Sequence, residues 1–358
     1  MAHVTPFRAV RYSGAAGRLA DLVAPPYDTV DDEERRALYT RSPYNVVHVT
    51  LPDSPEEAAR LYEDWFARGI LERDDGDAAW LAVEDYVGPD GVARRRQGEV
   101  VSVLAEPYDA GRVLPHERTH PRIRDDRLAL LRATGLQPEP ILLLTEQTLT
   151  FEVPARAPDV EADGTRLWRV PGPAIADVGQ LLIADGHHRY ESAVALGAES
   201  AAPVRIMALV VSTRDPGLHV FATHRYFVDR PDLASAREGE PCGDLGEALR
   251  RLGNDPPGRS AAVAYRSGGV VELVRGSEGE RDTELVDRHG HDGIRYTPRL
   301  DEAVQAVDRG EADAAFAVRD PRVDDVFATA RRGLRMPPKS TYFHPKPLSG
   351  LVFHPVRA

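Results

Sequence analysis

The stretch Leu181-Leu182-Ile183-Ala184-Asp185-Gly186-His187-His188-Arg189-Tyr190-Glu191 decides how this chain is read. Four apolar residues predict a short buried strand, a polar turn follows, and a helix is expected from about His188 to Leu196, closing at Gly197. A strand that feeds straight into a helix leaves the first helical N–H groups without partners and aims the positive end of the helix dipole at the turn. That arrangement favours an anion. Gly186 lets a ligand approach the backbone, while His187, His188 and Arg189 add donors, the arginine in the forked form that suits a phosphate. Three cationic or potentially cationic residues at one helix start oppose the dipole, and a bound anion removes that conflict. An ordinary capping role explains Asp185 but not the triplet after it.

Outward from this turn, strands and helices alternate as in a mixed α/β (α+β) fold. On the N-terminal side, Pro25-Pro26-Tyr27-Asp28 reads as a turn, Asp31 to Tyr39 as a charged helix and Asn45 to Leu51 as a β-branched strand. Ser54, Pro55 and Glu57 open a helix that stops at Gly69. Ala79 to Val87 and Glu99 to Leu104 read as strands joined across Gly88-Pro89-Asp90-Gly91, Arg127 to Ala133 as a helix and Ile141 to Thr145 as a strand. On the C-terminal side, strands are expected at Val204 to Val211 and near His219 to Phe221. Arg230 to Ser260 is rich in Pro, Gly and charge and marks a boundary. Beyond it, a hairpin (Ala261 to Tyr265 with Val270 to Val274) precedes further strand and helix signals at Leu300 to Arg309, Ala314 to Val318 and Val323 to Arg331. Three regions are expected: 1–230 around the turn, a smaller α/β domain at 231–335, and a segment, 336–358, that returns to the site.

The chain has 358 residues, 42% of them hydrophobic, enough for one large or two ordinary domains. Its net charge of −12 provides no global field for polyanions, so a nucleic-acid partner is not expected and any anion site must be local. The single cysteine, Cys242, excludes disulfides within the chain and Cys-based zinc sites, and suits a reducing compartment. No secretory signal opens the sequence and no apolar run approaches membrane-spanning length, so a cytoplasmic location without a membrane partner is expected.

Pro115-His116-Glu117-Arg118-Thr119-His120-Pro121 matches the H-E-x-x-H pattern of zinc peptidases, but that chemistry needs both imidazoles on one helix face. Pro121 biases His120 away from the α region, so the segment reads as a loop in which His116 and Glu117 are candidates for acid/base or Mg²⁺ roles. No P-loop, dinucleotide-binding or protein-kinase fingerprint is present. Asp28, fixed beside two prolines, and its neighbour Tyr27 are candidate substrate contacts. Of the 45 basic residues, 43 are Arg and two are Lys, and both lysines fall in Met336 to Pro347. An ammonium is a compact, tunable charge that a guanidinium does not imitate. Lys339 is a candidate for phosphate contact, as are Ser340 and Thr341 beside it, whose hydroxyls can also donate to phosphate oxygens, while Lys346, between Pro345 and Pro347, is expected to anchor the chain.

Ile183 to Ala193 resembles the strongest signature of the DUF1015 family, and Pro25-Pro26-Tyr27-Asp28, Asn45 to Pro52, His116-Glu117-Arg118-Thr119, Thr223-His224-Arg225 and Met336 to Leu351 appear in that family's order. The Asp-Gly-His-His-Arg turn is also similar to the phosphate-binding turn of the ParB/sulfiredoxin superfamily, whose members include free-serine kinases. The resemblance implies a ParB/sulfiredoxin-like core with an additional C-terminal α/β region. It further implies phosphoryl transfer to the hydroxyl of L-serine or a similar small amino acid, with pyrophosphate, ATP or ADP as donor and Mg²⁺ as cofactor. Asp185 would then be a catalytic carboxylate and Mg²⁺ ligand, and Gly186 to Arg189 would cradle the phosphate. Glu117 is expected to be the base on chemical grounds. The alternative is a non-catalytic ParB-like protein that binds a nucleotide or phosphometabolite and regulates partners.

Overall fold

The computed structural model describes residues 2–172 and 178–356, so the last two residues of the C-terminal segment lie outside it. Along the main path of the larger sheet run Val113–Leu114, Leu181–Asp185, Ile141–Thr145, Arg205–Ser212, Ala93–Leu104, Ala79–Val87, Thr165–Val170 and Val160–Ala162, with Val4–Thr5 added against Ala93–Leu104. The central strands read as near-continuous apolar runs because both faces are covered. Leu142, Leu144, Leu182, Met207 and Leu209 point into one apolar cluster, and Ile141, Leu143, Leu181, Ile183 and Ala208 into the other. Helices Pro121–Thr134 and His187–Glu199 cover the second face, burying Leu131, Tyr190, Ala193 and Leu196. Helix Val323–Arg331 and the C-terminal segment cover the first, through Val326, Phe327, Phe343, Leu351 and Val352.

Two strand-loop-helix units lie side by side, and this positions the site. Val113–Leu114 pairs in parallel with Leu181–Leu182, so both strands release their chains at the same sheet end. Helices Pro121–Thr134 and His187–Glu199 then run parallel, joined by Ser192 Oγ donating to the Arg124 carbonyl and by Arg132 with Glu199 at 2.7 Å. The loop 115–120 and the turn at Asp185 and Gly186 therefore face one another.

A second, wholly antiparallel sheet of six strands runs in the order Glu240–Pro241, Val270–Glu278, Arg259–Arg266, Ala314–Ala317, His224–Phe227, Ile294–Thr297. It starts before residue 230 and does not retain helix Val323–Arg331, which packs on the larger sheet. The two units therefore interleave and do not divide at 230/231. The C-terminal segment crosses the larger unit: Tyr342–Phe343 pairs with Val220–Phe221, Ser349 bridges to Ala24, and His354–Pro355 pairs with Leu136–Gln137.

One expected strand is helical. Asn45 donates its side-chain amide to the carbonyls of Asp21 and Val23 and accepts from the Val47 N–H, which starts a turn of helix at Val47–Thr50. Val46, Val47 and Val49 are buried there, so core packing overrides their β preference. No helix among the described residues is long and apolar enough to cross a membrane.

Candidate functional site

The polar turn requires glycine at its centre. Gly186 has φ +95°, and a Cβ there would stand 2.4 Å from Ile141 Cγ2. It caps the helix that begins at His187 and opens onto a cavity of about 1130 Å³. The wall comes from four sources: the turn and loop of the larger sheet, the N-terminal turn (Tyr27, Asp28, Thr29), the six-stranded unit (Arg281, Arg295, Tyr296), and Arg335 with the C-terminal segment after it (Lys339, Thr341, Lys346). Among the described lining residues, seven Arg or Lys face three carboxylates, Asp28, Glu117 and Asp185. An acidic chain has thus gathered a local excess of positive charge beside a helix N-terminus.

At the inner end the charges are paired. Asp185 meets Arg189 Nη2 at 2.8 Å and Lys346 Nζ at 3.0 Å, and Lys346 also bonds Asp28. Burial opposes the Lys346 charge, yet Asp185 and Asp28 outweigh it and hold its pKa above the usual lysine value. Burial likewise opposes ionisation of Asp28, but Lys346 prevails and pulls its pKa down. Arg189 directs its other terminal nitrogen to the Pro140 carbonyl at 2.9 Å, with Glu139 at 3.4 Å. Its fork therefore holds protein groups, where the sequence reading gave it a phosphate. Tyr27 stacks on the Arg127 guanidinium, 4.3 Å from the ring centroid, and burial raises its hydroxyl to about 12.

His187 and His188 act as acceptors, which corrects the expectation of a cationic triplet. The backbone N–H of His116 donates to His187 Nε2 at 3.3 Å and that of His120 to His188 Nε2 at 2.9 Å. Burial lowers both pKa values, that of His187 strongly. Neutral imidazoles do not repel the helix dipole, so these two residues need no bound anion to offset them. Together with Thr119 donating to Glu191 at 2.6 Å, they staple the loop to the helix start.

The loop carries His116 and Glu117. His116 is fully buried, with Nδ1 2.6 Å from the Ile183 carbonyl and Nε2 3.0 Å from Thr341 Oγ. Helix begins only at Pro121, so His116 and His120 do not share a helix face. Glu117 lines the cavity and has no Arg or Lys ion-pair partner among the described residues; the imidazole Nε2 of His116 stands 3.7 Å from it. Lys339 is exposed at the cavity mouth with φ +54°, whereas Ser340 is buried with its hydroxyl 3.3 Å from Thr283 Oγ, away from the cavity wall.

A protein-held Mg²⁺ does not fit Asp185. Both of its oxygens already meet cations, and the Lys346 ammonium stands between it and Asp28. Among the described residues, no three His, Cys, Asp or Glu side chains gather as a metal site.

Several participants went unnoticed in the sequence. Glu139, flanked by Pro138 and Pro140 just before a buried strand, had a signal in that unusual placement. Arg118 stands inside the His116-Glu117-Arg118-Thr119 segment, whereas Arg281, Arg295 and Arg335 had no signal among 43 arginines.

This chain belongs to the DUF1015 family, described as proteins of unknown function, whose family model matches residues 4–286. Among solved structures, it is similar to a conserved hypothetical protein from Pyrococcus furiosus (18% identity, TM-score 0.39, covering 68% of this chain and 90% of that one). It is also similar to a free serine kinase in complex with AMP (18%, 0.40, 70% and 91%). A third is SbnI with C-terminal truncation from Staphylococcus aureus (13%, 0.37, 68% and 82%). No curated protein matches the sequence.

Proposed function

We propose that this protein is a small-molecule phosphotransferase, a kinase of free L-serine or a similar hydroxylated amino acid, with pyrophosphate, ATP or ADP as donor. The observation that carries the reading is one unneutralised carboxylate, Glu117, in a cavity otherwise rich in cations and closed by a helix N-terminus. Phosphoryl transfer asks a protein mainly for positioning and charge neutralisation. The substrate hydroxyl oxygen attacks the donor's terminal phosphorus, the bond from that phosphorus to the bridging oxygen breaks, and the leaving phosphate takes the electron pair. The hydroxyl proton passes to Glu117, whose oxygens no Arg or Lys engages among the described residues.

Asp185 has both carboxylate oxygens engaged, one by Arg189 and one by Lys346; its part is to hold those two cations in place. The N–H groups of the helix start and the cations at the mouth receive the phosphates. A regulatory anion-binding protein would need the cations but has no use for an unpaired carboxylate among them.

Offering ATP, ADP and pyrophosphate in parallel with L-serine, and measuring O-phosphoserine, tests the reading. At least one donor should give product, and Glu117→Gln should slow transfer by about 10²- to 10⁴-fold with donor binding retained. No product from any donor overturns it.

A further inference from the structure

His116 sets the direction of the hydrogen bonds around it. The Ile183 carbonyl 2.6 Å from Nδ1 can only accept, so Nδ1 carries a proton. Burial, only partly countered by Glu117, disfavours a second proton on the ring. Nε2 is then a bare lone pair, and Thr341 Oγ, 3.0 Å away, donates its single proton to it. What Thr341 has left for the cavity it lines is lone pairs alone. Phosphate oxygens are themselves acceptors, so this hydroxyl has nothing to offer them. Glu117, 3.7 Å from the same Nε2, adds a second acceptor in the same corner. His187 has the opposite character: its Nε2 accepts from the His116 N–H, so the proton of the neutral ring is on Nδ1 and it is a donor on the same wall.

We propose that Thr341 Oγ and Glu117 form the subsite for the hydrogen-bond donors of the acceptor substrate, its ammonium or its hydroxyl, and that phosphates bind elsewhere, along the helix start and the mouth. The substrate's identity rests on the kinase reading, whereas the polarity of Thr341 does not. The proposal also reverses the role that the sequence assigned to Thr341.

Calorimetry on the full-length protein with pyrophosphate, L-serine and L-alanine tests it in Thr341→Val, which keeps the shape without lone pairs, and Thr341→Ser, which keeps the hydroxyl. Thr341→Val should bind pyrophosphate within about twofold of wild type and L-serine about tenfold more weakly, with Thr341→Ser close to wild type for both. An equal loss for L-alanine assigns the ammonium to Thr341, and an unchanged L-alanine affinity assigns the hydroxyl; either supports the subsite. A tenfold loss of pyrophosphate affinity with serine binding intact overturns it. Long-range ¹H–¹⁵N correlation on ¹⁵N-histidine-labelled protein reads the His116 tautomer directly. A proton on Nδ1 is expected, and a neutral ring protonated on Nε2 overturns the proposal whatever the ligands do. Failure of wild type to bind L-serine, with the Nδ1 tautomer present, counts against the kinase reading alone.

Discussion

At the inner end of the cavity every charge but that of Glu117 has a counter-charge, and at its mouth hardly any does. Asp28, Asp185, Glu139, Arg189 and Lys346 form one connected set of ion pairs, largely withdrawn from water. Arg118, Arg295, Arg335 and Lys339 line the same cavity without a carboxylate partner among the described residues. The paired groups hold distant parts of the chain in register and are organised before any ligand arrives. The unpaired ones keep their field for a visiting anion. Charge within one cavity is thus divided between building and binding, and removing a member of each class should have different consequences.

The largest effect is expected from Lys346→Met, which leaves Asp28 without its cation and Asp185 with Arg189 alone. Breaking a buried pair in this way costs about 3 kcal/mol, the lower part of the usual range because Asp28 is partly exposed. Urea unfolding should show a lower midpoint, and an unchanged midpoint would dissolve the distinction between the two ends. Lys346→Arg should also disturb the site, since a planar guanidinium does not reproduce a single ammonium that meets both carboxylates.

A smaller effect, about 1 to 2 kcal/mol, is expected from His188→Ala, which deprives the His120 N–H of its acceptor. Amide exchange at His120 should accelerate, and His188→Gln, whose side-chain oxygen also accepts, should restore part of the protection. The same staple should weaken with acid. His116, His187 and His188 have folded pKa values depressed by burial, so the unfolded chain takes up these protons first. Their stabilisation is present above about pH 6.5 and is lost as pH falls through the folded values. Buried His224 and His354, lowered to about 4, act in the same sense. Tm should therefore drop between pH 7 and pH 5, and a Tm that rose would contradict the neutral imidazoles.

The smallest effect belongs to the mouth. Lys339→Ala should leave the unfolding midpoint unchanged and weaken pyrophosphate binding by about two- to fivefold, a difference that fades as salt is raised. Lys339→Arg should be near wild type, because an exposed side chain has room for a guanidinium. A tenfold loss on Lys339→Arg would restore to this residue the special role its rarity suggested.

What could be read from the sequence was what depends on near neighbours. The strand-turn-helix at Leu181–Glu199, the Ser54 cap with Pro55 after it, and the loop between Pro115 and Pro121 are set by local backbone chemistry and are where they were expected. Asp163-Gly164, both at positive φ, turns a hairpin between Val160–Ala162 and Thr165–Val170 that the reading missed although the Asp-Gly signal was there. The direction of each site hydrogen bond was out of reach, because it depends on partners far along the chain. Arg189 turns to Glu139 and Pro140, His188 to His120, and His116 to both Ile183 and Thr341. The segment holding both lysines was singled out, but the burial that separates their roles is a tertiary fact.

The ion pair between Lys346 and Asp28 joins residues 318 positions apart, with Asp185 between them in the sequence and beside them in space. During synthesis the first of these residues leaves the ribosome long before the last. Domains fold as they emerge, so the two carboxylates must wait for the cation they share until Lys346 has emerged. The cavity is finished only once Lys346 has been made, and a nascent chain that stops short of residue 346 lacks the third member of that cluster.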